Sequence, residues 1–151
     1  MEWFIQILFS FFSTIGFGIL TNIPRKALVA AGFTGTCGWL IFWQLKQHQI
    51  SLGGANFWAA FIIGCLSIFF SRKMKIPVII FHIPSLFLLV PGGPAYLAIR
   101  EFVLGDTKQA FHQLSVVVVT AAAIAGAFLM SNLIERIVLK LALQNKARKK
   151  L

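Results

Sequence analysis

The sequence predicts an all-α, polytopic integral membrane bundle of five transmembrane helices, and three observations carry that prediction. The chain of 151 residues is 58% hydrophobic and only 12% charged, with a mean hydropathy of +0.84, whereas a soluble domain carries about twice that share of charge because its surface must meet water. Five uncharged apolar windows, 3–21, 27–45, 53–71, 76–98 and 114–134, each hold close to the roughly 20 residues that cross a hydrocarbon core about 30 Å thick. The 14 basic and 4 acidic side chains all fall outside those windows, as expected where a charge at mid-membrane costs several kcal/mol.

Helices are the element type that fits. Membrane β-strands alternate apolar and polar residues over about ten positions, whereas these windows stay apolar for about 20. The Val116–Val119 run has strand propensity, but a lone strand in hydrocarbon leaves its backbone groups unsatisfied. The expected organisation is one transmembrane domain over 1–139, with a basic cytoplasmic tail over 140–151. Four crossings are the alternative if one glycine- or proline-rich window only dips into the membrane.

The first window follows Glu2, has no basic n-region and lacks an Ala-x-Ala cleavage signal, so it reads as a retained helix. The second carries Ala27, Ala31 and Gly35 four apart, with Gly32 and Gly38 beside them. The third begins after a Ser51–Gly53–Gly54 turn signal and spaces Ala60, Gly64, Ser67 and Ser71 along one side. Such small seams let helices approach closely, where van der Waals packing replaces a hydrophobic driving force. Cys37 and Cys65 lie inside apolar windows and read as small buried hydrophobes.

The fourth window is unusual: IPVIIFHIPSLFLLVPGGPAYLAI contains Pro77, Pro84, Pro91 and Pro94, with Gly92 and Gly93 between the last two. Pro84 removes a helix hydrogen bond and should kink the segment, and the Pro91–Pro94 stretch should break it. Non-helical backbone at membrane depth is tolerated only against protein or a water-filled cavity, and secondary transporters use such breaks to present bare carbonyl and amide groups to a solute. Replacing Gly92 with leucine is therefore expected to abolish transport. His82, in the same window, is either a proton relay or a neutral histidine bonded to a freed carbonyl. The fifth window has a small-residue stretch over Ala121–Ala127.

With five crossings the loops alternate sides. Arg25, Lys26, Arg72, Lys73, Lys75, Arg136, Lys140, Lys146, Arg148, Lys149 and Lys150 share one face, against Lys46, Arg100 and Lys108 on the other. The positive-inside bias then places the N-terminus outside and the C-terminus in the cytoplasm of a bacterial-type inner membrane. A net charge of +10 concentrated beside a lipid-crossing segment points to anionic lipid rather than nucleic acid, for which no recognition module is visible.

No enzyme signal rises above this. His48, His82 and His112 have no metal-ligand spacing, and Glu2, Glu101, Asp106 and Glu135 lie outside the windows, so neither a metal site, a cofactor nor a carboxylate pair is expected. The Gly32-x-x-Gly35-x-x-Gly38 pattern follows no strand and lacks a phosphate-binding lysine. Asn22, Asn56 and Asn132 near helix ends suit capping or substrate contact. The threonines Thr34, Thr36 and Thr120 suit a narrow polar route.

The segments TNIPRKALVAAGFTGTCGW, 21–39, and ANFWAAFIIGCLSIFFSRKMKIPVIIFHIPSLFLLVPGGPAY, 55–96, resemble the signature of the small, membrane-only half of the threonine/serine exporter family. The resemblance rests on Asn22, Pro24, the glycines ending at Gly38–Trp39, Asn56, the Arg72-to-Pro77 link, Pro84, Pro91–Gly92 and Tyr96. It departs at Ser85, where relatives commonly have glycine, and at Gly93–Pro94. It implies a five-helix half that pairs with a larger membrane chain and exports threonine or serine on the proton motive force, with a dicarboxylate such as succinate as the alternative. It also implies that Asn22 and Pro24 fix the first turn and that Pro84, Pro91, Gly92 and Tyr96 shape the fourth helix. The expected path for the small polar substrate joins Thr34, Thr36, Asn56, His82, Pro91, Gly92, Gly93, Tyr96 and Thr120. The contrasting readings are a membrane scaffold for a partner, which needs small seams but no polar path, and a homo-oligomeric channel, which would need a strongly polar stripe.

Overall fold

The computed structural model describes residues 2–148, with side chains for residues 2–137 and Lys140. Long helices α1 (Glu2–Leu20), α2 (Arg25–Gln47) and α3 (Leu52–Met74) are followed by short α4 (Ile79–Leu86) and α5 (Gly92–Leu104) and by long α6 (Thr107–Arg148). Four helices among the described residues are long and apolar enough to cross a membrane: α1, α2, α3 and the Thr107–Ile137 part of α6.

Two expectations need correction. The fourth of the five long helices, expected over 76–98, is not formed: the chain leaves the helix after Leu86 and re-enters it at Gly92. Pro91 and Pro94 are the cause, since neither has an N–H for the carbonyl four residues back. The stretch between the windows 76–98 and 114–134, which would be a long loop if helix were confined to the windows, is largely helical too. Only Gly105 and Asp106 separate α5 from α6, and Asp106 Oδ1 caps α6 by accepting the Gln109 N–H at 3.0 Å. The expected tail begins as a continuation of α6 through Arg148; the side chains beyond Lys140, and residues 149–151, lie outside the described residues.

Helix ends follow from local chemistry. Four turns have a residue in the left-handed region: Asn22 (φ 54°), Gln49 (57°), Lys75 (56°) and Gly105 (85°). At each, the next residue's N–H reaches back five positions, as in Ile23 N–H to Gly18 O at 3.1 Å, which closes the carbonyl end of the helix. Pro24, with no N–H to lose, then starts α2, and its carbonyl takes the Ala27 N–H at 2.8 Å. Ser51 caps α3 through the Gly54 N–H.

The small residues set which helices meet. A Cβ on Gly32 would strike Phe11, one on Gly35 would strike Thr14, and one on Gly38 would strike Ile63. The glycine face of α2 is thus divided between antiparallel neighbours α1 and α3. Gly64 likewise admits Ser131 of α6. Gly53 lies against Val119, Gly64 against Ser131, and Arg72 pairs with Glu135 at 2.9 Å, so α3 and α6 run parallel. Parallel neighbours need a connection that returns the full length of the pair, and residues 75–106 make it. Along that return α4 packs on α1, α2 and α3, whereas α5 packs on α6 alone among the described helices.

The interior is small and polar while the outside is large and apolar. Ala27, Ala31, Ala59, Ala60, Thr14, Thr34 and Ser67 are fully buried, but Phe4, Phe9, Phe12, Val29, Leu129 and Leu133 are exposed. That inversion suits lipid as the surrounding medium. The main exceptions are Phe81 and Ile63, which anchor two apolar clusters around Ala31 and Ala59.

Candidate functional site

The break between α4 and α5 leaves backbone groups without partners. The Leu86 carbonyl takes both the Leu89 and Val90 N–H, and the Val90 carbonyl takes the Gly92 N–H at 2.8 Å. The carbonyls of Phe87, Leu88 and Leu89 receive no backbone N–H among the described residues.

Two side chains face the same place from the parallel pair. Asn56 sits one turn inside α3 and is 2% exposed; its Nδ2 donates to the Leu52 carbonyl at 2.9 Å, while its Oδ1 has no partner. Thr120 of α6 is also 2% exposed, and its Oγ1 has no partner. Both line a cavity of about 230 Å³, together with Trp39 and Phe42 of α2, Leu88–Pro91 of the break, Pro94, Leu52 and Val116. Among the described residues no ionisable side chain lines it. A buried polar atom left unpaired costs about 1–3 kcal/mol, and Asn56 and Thr120 each carry one among the residues that line this cavity. Trp39 is held rigidly, its Nε1 donating to Gln6 Oε1 at 2.7 Å, with the Phe42 ring 5.5 Å away.

A second polar level lies further along the α3–α6 seam. His82 of α4 is 8% exposed, packs on Phe128 at 4.5 Å between ring centroids, and lies beside the Gly64 backbone, while its Nε2 has no partner. Ser67, one turn beyond Gly64, is fully buried with an unpartnered Oγ. Ser131 spends its hydroxyl on the Phe128 carbonyl at 3.0 Å. The Arg72–Glu135 ion pair ends this seam, bordering another cavity of about 230 Å³ whose walls are mostly Cys65, Ile68, Phe69 and Ile134.

The expected path residues therefore divide. Asn56, Pro91 and Thr120 converge on one cavity, and His82 occupies a separate level. Thr34 and Thr36 are buried, but each returns its hydroxyl to its own helix, at Ala30 O (2.8 Å) and Gly32 O (2.9 Å). Tyr96 is 68% exposed. Gly92 faces a different, apolar recess with Phe17, Ile83 and Phe87. A Cβ on Gly92 or Gly93 would meet nothing within 4 Å, and neither glycine has positive φ. The steric ground for an indispensable Gly92 is therefore missing. Pro84 is buried inside α4, and the neighbouring Ser85 donates to the Ala31 carbonyl of α2 at 3.1 Å, so the serine that departs from the family pattern ties α4 to α2.

Trp39 and Phe42 as cavity walls, and Ser67, are what sequence reasoning missed. Gln6 was the available signal, because an amide in an apolar window needs a partner, but that partner lies 33 residues away. Among the described residues no group of acidic, histidine or cysteine side chains could hold a metal ion, and both cysteines are free.

Comparison with known proteins places this geometry in context. The family described as Threonine/Serine exporter, ThrE, matches residues 6–134. An uncharacterized protein of Haemophilus influenzae is 25% identical over 126 residues, which is 81% of this chain and 42% of that relative. The chain thus spans less than half of that relative's length. No solved structure matches.

Proposed function

Because the chain belongs to the ThrE threonine/serine exporter family, a family of transporters rather than enzymes, we propose that it is the membrane-embedded part of a two-component secondary exporter of small polar metabolites, serine and threonine first. The observation that carries this reading is the cavity at the α4–α5 break lined by Asn56 and Thr120, each of which has a buried, unpartnered oxygen. Unwound backbone beside polar side chains is how secondary transporters present bare carbonyl and amide groups to a solute. The relative's greater length supports a second component that completes the path. The proton motive force is the proposed drive, and the Lys/Arg-rich end at Arg72, Lys73 and Lys75 is the proposed cytoplasmic side.

In this reading α4, the break and α5 together make the fourth of five crossings, with the N-terminus outside. The parallel run of α3 and α6 supports it, since the chain must return across the bilayer between them. Reporters placed at Asn22, Gln49, Lys75 and Gly105 should alternate sides, beginning in the cytoplasm. A reporter at Gly105 on the same side as Lys75 would overturn the five-crossing arrangement.

Function is tested by export of preloaded labelled serine, threonine and succinate from cells lacking their own exporters. Each substrate is tested with this chain alone, with a larger family partner, and with that partner alone. Export only with both chains, collapsed by an uncoupler, is expected. Equal export by the partner alone would leave this chain as a scaffold.

A further inference from the structure

The hairpin of α5 and α6 outruns the rest of the bundle at the end opposite Arg72. Gly53, in the first turn of α3, lies against Val119 of α6, so Thr107–Val118 extends past the end of α3, about 18 Å of helix at 1.5 Å per residue. The neighbours α1 and α2 stop at the same level as α3: Trp3 packs on Trp43 at 4.8 Å between ring centroids, and α2 ends at Gln47, just before the turn into α3. Beyond that level α5 runs beside α6 and packs on no other described helix. The 23 residues of α3 already cover about 34 Å, against about 30 Å for the hydrocarbon core, and headgroups add only about 5–8 Å on each side. More than half of the projecting hairpin therefore stands in water. Its exposed Arg100, Asp106, Lys108 and His112 fit that medium.

Its apolar side chains do not fit it. Ile99 and Val103 of α5 are 67% and 81% exposed, and Phe111 and Leu114 of α6 are 59% and 41% exposed. Each pair lies three or four residues apart, on one side of its helix. The residues buried over 95–115 are only Ala98 and Ala110. Small residues inside and large ones outside suit lipid in the rest of the bundle, but lipid does not reach here, and an apolar surface rimmed by charges in water marks a protein contact. We propose that this face of the α5–α6 hairpin is the docking surface for the larger component of the exporter. The proposal rests on the two-component reading and adds where the components meet. The charges of Arg100, Glu101, Asp106 and Lys108 sum to zero, so the face selects an apolar helical surface rather than a charged partner. Two observations favour the larger component over a second copy of this chain. More than half of the Haemophilus influenzae relative lies outside the matched part, which is chain enough to supply such a surface. The foot of the hairpin, at Pro94 and Val116, also lines the Asn56–Thr120 cavity, so a chain seated on the hairpin is placed to complete the proposed path.

Single cysteines test this in permeabilised cells that make the full chain alone or with the larger family partner, probed with a maleimide that does not enter lipid. In the chain alone, Val103→Cys and Phe111→Cys should be labelled, whereas Leu129→Cys, exposed to lipid on α6, and the unsubstituted chain with Cys37 and Cys65 should not. With the partner present, labelling at Val103→Cys and Phe111→Cys should fall about tenfold or more, and a photo-crosslinking residue at position 99 should join the partner. Ile99→Asp/Val103→Asp should weaken co-purification with the partner about tenfold or more. Ile99→Ala/Val103→Ala should weaken it several-fold and keeps the test intact if the aspartates prevent folding. Absence of labelling at Val103→Cys in the chain alone would put the hairpin in lipid and overturn the proposal, as would labelling unchanged by the partner or a crosslink to a second copy. Export that needs both chains, with Val103→Cys still open and Ile99→Asp/Val103→Asp pairing normally, would sink the docking surface and leave the exporter reading. Protection and crosslinking by the partner with no export of any substrate would do the opposite.

Discussion

Gly35→Ala should loosen the α1–α2 contact, and a second glycine isolates the size of the effect. A Cβ at Gly35 would overlap Thr14 Oγ1 and stand 2.9 Å from its Cγ2 and 3.1 Å from its Cβ. Thr14 cannot easily turn aside: it is fully buried, β-branched and stiff at χ1, and its hydroxyl donates to the Ser10 carbonyl at 2.9 Å. Overpacking of this kind costs about 1–3 kcal/mol, against a gain of about 0.8–1 kcal/mol for replacing glycine by alanine within a helix. Gly16 of α1 has nothing within 4 Å of its would-be Cβ, so Gly16→Ala collects the propensity gain alone. The two variants should therefore differ by about 1–3 kcal/mol in unfolding free energy, with the propensity contribution cancelling. Thr14→Ala removes the two nearest atoms, so Thr14→Ala/Gly35→Ala should recover most of the loss, with a coupling energy of about 1 kcal/mol or more. Reversible denaturant unfolding in mixed micelles, followed by tryptophan fluorescence, reads the unsubstituted chain, Gly16→Ala, Gly35→Ala, Thr14→Ala and the double variant. Equal stability of the two glycine variants, or strict additivity in the double variant, would refute the argument that Gly35 exists to admit Thr14.

The remaining predictions concern other joints, each read by the same unfolding measurement. Asn22→Val should cost about 1–2 kcal/mol because a β-branched residue resists the left-handed region, whereas Asn22→Gly should be neutral or stabilising; the reverse order would refute the turn assignment at φ 54°. Ser85→Ala deletes the buried bond to the Ala31 carbonyl and should cost about 0.5–1.5 kcal/mol. No loss would show that packing alone holds α4 on α2. Arg72→Gln should cost no more than about 1 kcal/mol, since the pair with Glu135 is 42% and 28% exposed, and the exchanged pair Arg72→Glu/Glu135→Arg should restore it. A loss of several kcal/mol would mean that the pair is more deeply desolvated than its exposure indicates.

The class of fold was legible in the sequence because hydropathy is a local property. A bilayer imposes one length on every crossing, so uncharged windows of that length marked α1, α2 and α3 to within one to three residues at each end, while the apolar stretch of α6 begins at Thr107, seven residues before the window expected from 114. The prolines likewise announced a break, because a missing N–H is written in the residue itself. Its consequences were less legible: two short helices in place of one, and an α5–α6 turn of Gly105 and Asp106 in place of the gap between the windows 76–98 and 114–134. Charged residues had set the limits of the windows, and a helix can carry Arg100, Glu101 and Lys108 once it passes beyond hydrocarbon.

The site divided along the same line. That Asn56, Thr120 and the Pro91 break are polar or irregular in apolar surroundings was visible one residue at a time. That they share one cavity while Thr34, Thr36 and Tyr96 do not was decided by the parallel register of α3 on α6, which Gly64 sets by admitting Ser131. Thr34 and Thr36 read no differently from Thr120 in sequence, yet their hydroxyls close back on their own helix and Thr120's does not. Sequence by itself determined what lies in the membrane, since each side chain carries its own transfer free energy. Only tertiary structure decided which of those side chains meet, since contact depends on the relative rotation and register of helices distant in the chain.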